Sequence, residues 1–175
     1  MTDSIHWEES SAPLLRQGEI LRGCVVPIIL NEVTEELQVQ KRDLIMVTQS
    51  CDLQKAQDLQ PVALCPVFST SEWDKVLPEA RVKNQWDNVA KKRRPSIHLL
   101  PPLPDDPIRL AVDLRQIYSL TFRYVREHAT ALGTRLRLKS PYREDFSHDF
   151  GAFYSRVAVP RPGDPDWIAV TPPAL

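Results

Sequence analysis

Asp43-Leu44-Ile45-Met46-Val47-Thr48 is the stretch from which the rest of the chain can be read. It is a near-continuous apolar run of strand length, and its polar boundaries predict a buried central strand. The run breaks at once into Gln49-Ser50-Cys51-Asp52-Leu53. A loop of small and polar residues directly after a rigid strand is a usual place for a site. Gln49, Ser50 and Asp52 form turns and point polar groups outward, so this turn is expected to line any pocket.

Upstream, Gly18-Glu19-Ile20-Leu21-Arg22-Gly23 and Cys24-Val25-Val26-Pro27-Ile28-Ile29-Leu30 predict a first strand pair. The acidic connection Glu32, Glu35 and Glu36 leads from it to the central run. Downstream, Pro61-Val62-Ala63-Leu64-Cys65-Pro66-Val67 repeats the strand signal, with prolines that favour strand ends or an edge. Ser71 is a plausible N-cap for a helix carrying Trp73, Val76, Leu77 and Ala80, which Pro78 must kink or end. Ile97 to Pro107 is too rich in proline for a helix, and Ile108 to Leu114 returns to a strand pattern. Tyr118, Leu120, Phe122 and Tyr124 alternate with polar residues, the period of a half-buried strand. Long helices are not expected before residue 140. There Ser140-Pro141 opens one with Phe146, Phe150, Phe153 and Val157 on a single face, expected to pack onto the sheet.

The 175 residues are one domain's worth of chain, with 22 Lys+Arg against 23 Asp+Glu. The balance excludes a globally basic nucleic-acid binder but not a local basic patch. Three cysteines, none at zinc spacing, predict reduced thiols and no structural metal. No apolar run approaches a membrane span and no secretory leader opens the chain, so a cytoplasmic location is expected. The domain is expected over residues 15–160, with a basic insertion at 71–96. A loosely held arm (1–14) precedes it and a proline-rich tail (161–175) follows.

The order of elements resembles the MazF/PemK family. Gly18-Glu19-Ile20 opens it, Arg42 precedes a buried strand that breaks into a polar loop at Asp52, and a second strand ends in Pro66-Val67. Val112-Asp113-Leu114-Arg115-Gln116-Ile117 and the final amphipathic helix complete the order. The resemblance covers roughly residues 15 to 158. It implies an α+β fold on a small SH3-like β-barrel, with an inserted helix and a C-terminal amphipathic helix. It further implies a metal-independent, sequence-selective endoribonuclease toxin, commonly a homodimer and neutralised by an antitoxin. The family's catalytic arginine matches Arg42, here followed by Asp43 instead of proline, and its Ser/Thr matches Ser69 or Thr70, displaced by one or two positions.

RNA cleavage without metal needs a base for the 2′-hydroxyl, a cation for the phosphorane and a donor for the leaving oxygen. Arg42 supplies a cation, Ser69 or Thr70 a phosphate hydrogen bond, and His98 an acid or base of suitable intrinsic pKa. From Arg81 to Arg94 six Lys/Arg (Arg81, Lys83, Lys91, Lys92, Arg93 and Arg94) face one Asp. Such a run can release counterions from phosphates while Trp86 stacks on an unpaired base, although a solvated face is the simpler use. The acidic first 40 residues, with seven Asp/Glu and two Arg, could cover that run.

The leading expectation is therefore an RNA-binding or endoribonuclease-like component of a bacterial toxin–antitoxin or phage-defence system, acting without cofactor. The alternative is a non-catalytic accessory subunit that docks a larger protein. A weaker one is a cysteine-dependent hydrolase in which His98 activates Cys51, with Asp52 or Asp113 orienting the base.

Overall fold

The computed structural model describes residues 4–31, 34, 36–69, 72, 85–104 and 109–155. Their strands are β1 (Trp7–Ser10), β2 (Ile20–Asn31), β3 (Glu36–Met46), β4 (Pro61–Ser69), β5 (Ile97–Leu99), β6 (Leu110–Asp113), β7 (Tyr118–Thr121) and β8 (Arg135–Leu138). The helices are α1 (Ser50–Leu53), α2 (Gln85–Ala90), α3 (Phe122–Leu132) and α4 (Tyr142–Tyr154). Every pairing among these strands is antiparallel, in a six-stranded sheet ordered β2-β3-β4-β6-β5 with β7 also on β4, and in a two-stranded sheet of β1 and β8. The fold is α+β. Among the described residues no helix is long and apolar enough to cross a membrane.

The central run lacks alternation because the last residues of β3, Leu44–Met46, are covered on both faces. Ile45 and Val47 join Cys65, Val67, Val112, Trp7, Leu138 and Phe146 in one core. Leu44 and Met46 join Leu21, Cys24, Val26, Leu64, Val125 and Ala129 in the other. Helix α4 roofs the first core with Phe146, Phe150 and Phe153 on its inner side, as their spacing predicts. Each such aliphatic or aromatic side chain contributes on the order of 1.5–3 kcal/mol by leaving water.

The other roof, α3, is the main departure from the expected pattern. The alternation from Tyr118 holds only to Thr121, where β7 ends on β4. Thr121 then caps a helix, its hydroxyl accepting from the Tyr124 N–H at 3.4 Å, and Val125 and Ala129 turn one helical face to the core. Gly133 at φ +71° ends it.

The segment expected to be a loose arm is instead tied down over residues 7–10. There β1 pairs with β8, Trp7 is 2% exposed, and its indole Nε1 donates to the Pro102 carbonyl at 3.0 Å. A large aromatic with a core to enter, beside a strand needing a partner, gains more by docking than by staying free. The expected first strand pair is one long strand, β2, that bulges between Leu21 and Cys24, where Gly23 adopts φ +65°. β4, far from an edge, is central: Pro61 is its first residue, and Pro66 stands where its ladder with β3 ends. The final helix begins at Tyr142 with Pro141 as its N-cap residue. The helix expected over Trp73–Ala80, Val157 and the tail at 161–175 lie outside the described residues.

A buried ion pair joins the two sheets. Glu19 is fully buried and its Oε2 accepts from Arg135 Nε at 2.9 Å. The same guanidinium donates to the carbonyls of Ala129, Gly133 and Ala12 at 2.8–2.9 Å, closing the C-terminus of α3. The neighbouring Gly18 sits at φ +80°, and a Cβ there would lie 3.2 Å from the Leu138 Cβ. Strand β8 can approach only because that position is glycine.

Candidate functional site

β3 and β4 pair only through Leu44↔Pro66, Ile45↔Cys65 and Met46↔Leu64. Pro66 has no N–H to give, and beyond it β4 pairs with β6 on its other side, Val67 with Val112 and Ser69 with Leu110. Where the two strands part, a cleft of about 600 Å³ opens, bearing Lys41, Arg42, Asp43, Ser69, Glu72 and Asp113. The structure thus brings together Arg42 and Ser69. Arg42 is exposed and donates from Nη2 to Gln40 Oε1 at 2.6 Å. Two of the three carboxylates are engaged: Asp43 accepts from the Gly23 N–H at 2.8 Å, and Asp113 accepts from Arg115 Nε and Nη2 at 2.9 and 2.8 Å. Thr70 lies outside the described residues.

The turn after β3 lines a second, more open cleft of about 640 Å³. Gln49, Ser50 and Cys51 face Arg16, Arg143 and His148 across it. Ser50 Oγ accepts from the Gln17 N–H at 3.1 Å, which fixes the start of α1 against the loop before β2. Cys51 is exposed and its Sγ lies 3.7 Å from both Gln49 Oε1 and Asp52 Oδ1. The histidine on this cleft is His148, not His98. Cys24 and Cys65 are buried, and burial, reinforced by Asp43 and Asp113 respectively, pushes both thiols up to about 12. Only Cys51 of the three is placed for thiol chemistry.

His98 lies on β5 beneath α4, 4% exposed, with its ring edge against Phe146 at 5.3 Å between centroids. Its Nδ1 donates to Asp149 Oδ2 at 2.7 Å. Lys92 Nζ reaches Asp145 at 2.6 Å and Asp149 at 3.1 Å. Burial works to raise the Asp149 carboxyl, but hydrogen bonds from His98 and Lys92 and their charges hold it down, to about 2. For Lys92 burial works downward and the hydrogen bonds of the two aspartates prevail, so its pKa is raised. His98, Asp145 and Asp149 have the donor atoms of a cation site, all within 4.8 Å, and the Lys92 ammonium already contacts the two aspartates. This group clamps the turn after α2 to α4. Lys92 holds φ +54°, closing α2 with its N–H on the Val89 carbonyl at 2.9 Å.

Of the described part of the basic run, Lys91, Lys92 and Arg93 are exposed, the Lys92 ammonium being held by Asp145 and Asp149 of α4, and Arg94 is half-buried. Arg81, Lys83 and the Trp86 side chain lie outside the described residues. No pattern in the sequence singles out Glu72 or His148. The two aspartates, four apart on a predicted helix, carried the one signal that could have found them. No family model matches the chain, and no curated protein or solved structure does.

Proposed function

We propose that this chain binds RNA in the cleft between β3 and β4 and cleaves it without metal, as the toxin component of a bacterial toxin–antitoxin or phage-defence system. The observation that carries the reading is that Arg42 and Ser69, far apart in sequence, line one cleft. In this reading a phosphate sits against Arg42 and accepts from the Ser69 hydroxyl, so charge developing on phosphorus meets fixed donors. The Glu72 carboxylate takes the 2′-hydroxyl proton and the 2′-oxygen attacks phosphorus. The 5′-oxygen leaves with a proton from Lys41, giving a 2′,3′-cyclic phosphate and a 5′-hydroxyl. An SH3-like barrel is part of the proposal. It is supported by the isolated Glu19↔Arg137 bridge between β8 and the residue before β2, and by Trp7, which reaches across to the segment after β5. Expression of the chain alone in a bacterial host should arrest growth and fragment total RNA. Purified protein should cleave RNA in EDTA and lose that activity with Arg42→Ala. Intact RNA at high enzyme concentration defeats the proposal.

One observation favours a second reading, a non-catalytic accessory subunit of a defence or regulatory complex. The cleft sets three carboxylates against two cations, a weak field for phosphate. This reading predicts inertness alone and stable co-purification with a product encoded beside it.

A further inference from the structure

A third cleft, of about 360 Å³, shares no residue with the two described above. It forms over β8, which pairs with β1 through Glu9↔Leu136 and bridges to the residue before β2 through Glu19↔Arg137. Opposite residues share a face and successive ones alternate. Glu19 and Arg137 turn towards each other, 3.3 Å apart, in the buried ion-pair cluster. Ile20 and Leu136 therefore turn to the other face, the one that Glu9 shares. There Ile20, Leu103, Pro104, Leu132 and Leu136 make an apolar floor, with Ile20 only 4% exposed. Arg22, two residues on from Ile20, and Thr134, two before Leu136, stand at its rim.

We infer that this cleft binds a small zwitterion with an apolar side chain, of the class of the branched-chain and aromatic α-amino acids. The charge at the rim selects it. Arg135 also borders the cleft, but its guanidinium is committed to Glu19 and to three carbonyls. Glu9 and Arg22 are exposed, and among the described residues neither side chain has a hydrogen bond or ion pair. One free carboxylate and one free guanidinium thus overlook an apolar floor. At about 4.8 Å per strand, two strand spacings set Glu9 and Arg22 roughly 10 Å apart at the backbone, and their long side chains shorten this to the span of a small molecule. The ligand's carboxylate pairs with Arg22 and accepts from the Thr134 hydroxyl, its ammonium meets Glu9, and its side chain lies against Ile20 and Leu136. A simple anion would meet Glu9 uncompensated and a simple cation would meet Arg22, so the pair favours a molecule carrying both charges. The volume is near the lower end for ligand pockets, which suits a single amino acid better than a peptide or nucleotide. The inference is independent of RNA cleavage, because no residue of the β3–β4 cleft takes part.

Calorimetric titration of the full chain with L-leucine, L-isoleucine and L-phenylalanine, from about 10 μM to 10 mM, tests it. At least one should bind saturably. Its amide, which lacks the carboxylate, and its N-acetyl derivative, which lacks the ammonium, should each bind about tenfold more weakly or worse, and so should glycine, which lacks the apolar side chain. Glu9→Ala and Arg22→Ala, at exposed residues, should each raise the dissociation constant at least about tenfold with circular dichroism unchanged. Arg22→Ala should also erase the preference for the free acid over the amide, a readout that a merely structural role would not move. No saturable binding of the three amino acids overturns the inference. So does binding that survives both substitutions, or equal affinity for the acid, the amide and the N-acetyl form. If the substituted proteins do not fold, the analogue series on the wild-type chain decides for the zwitterion. Saturable shifts of the Glu9, Thr134 and Leu136 amide resonances on titration then decide the place, and shifts confined elsewhere overturn it.

Discussion

Asp149→Asn isolates the charge at the centre of the clamp between α2, β5 and α4 while keeping the side chain's shape. The carboxyl is held at about 2 against an ordinary 3.8. Each pKa unit is worth about 1.4 kcal/mol, so the ionised form adds about 2 kcal/mol once its 21% exposure is discounted. A folded-state value below the unfolded one gives stability that is whole above about pH 4 and disappears as the pH falls towards 2. Asparagine should thus cost about 2 kcal/mol at pH 5, a fall in Tm of roughly 4–8 °C for a chain of this size. The difference from wild type should shrink steadily between pH 4 and pH 2. Urea unfolding followed by tryptophan fluorescence at pH 5, 4, 3 and 2.5 measures it. Glu144→Gln, which removes an exposed carboxylate paired with Arg143 on the same helix, serves as a control and should change little. A loss that is equal at pH 5 and pH 2.5 would show that the substitution acts through packing, and the electrostatic account of the clamp would be wrong.

Other outcomes follow from the same geometry. In the native protein one thiol, Cys51, should react with a disulfide reagent, and the remaining two only after unfolding; rapid reaction of three would contradict the burial of Cys24 and Cys65. Arg135→Ala should destabilise by about 3 kcal/mol or more, because it strands the buried Glu19 carboxylate and uncaps α3; a denaturant titration showing less than 1 kcal/mol would refute this. Gly18→Ala should cost about 1–3 kcal/mol through its positive φ and the approach of Leu138, read as a lower urea midpoint at constant slope. Arg42→Ala and Ser69→Ala should each reduce RNA cleavage at least a hundredfold with unchanged stability; equal rates in wild type and variants would remove the cleft from the chemistry.

What could be read from the sequence is what depends on local pattern. The strand signal over Asp43–Thr48 and the aromatic face of α4 are each encoded within a few residues or turns; the first is found as the end of a longer strand, β3, that stops at Met46, and the second is present. Helix α3 was not legible because Tyr118 to Tyr124 satisfies a two-residue period while Val125, Ala129 and Leu132 satisfy a helical one. The two patterns overlap at Phe122, and only the pairing of β7 with β4 decides where one stops. Trp7 among polar residues gave no hint of β1, since its partner β8 lies about 130 residues away and no local signal spans that distance. The same limit hid Asp149, whose value to the clamp depends on His98 from β5 and Lys92 from the turn after α2.

The cleft shows how a site can be half legible. Had the β3–β4 ladder continued in the register Leu44↔Pro66, Arg42 would face Phe68 and Lys41 would face Ser69. Lys41 and Ser69 would then be cross-strand neighbours on one face of the ladder, with Arg42 turned to the other. Pro66 prevents this by withholding an N–H at the last rung, and the pairing of Val67–Ser69 with β6 draws β4 away. A strand signal closed by proline therefore carries two consequences at once: it ends a ladder, and it leaves the side chains beyond the last rung facing a gap. The residue types at 41, 42 and 69 were visible in the sequence, and so was the proline. That β4 continues past it as a strand on a new partner, leaving the gap open, depends on Leu110–Asp113 arriving from the far side of the chain.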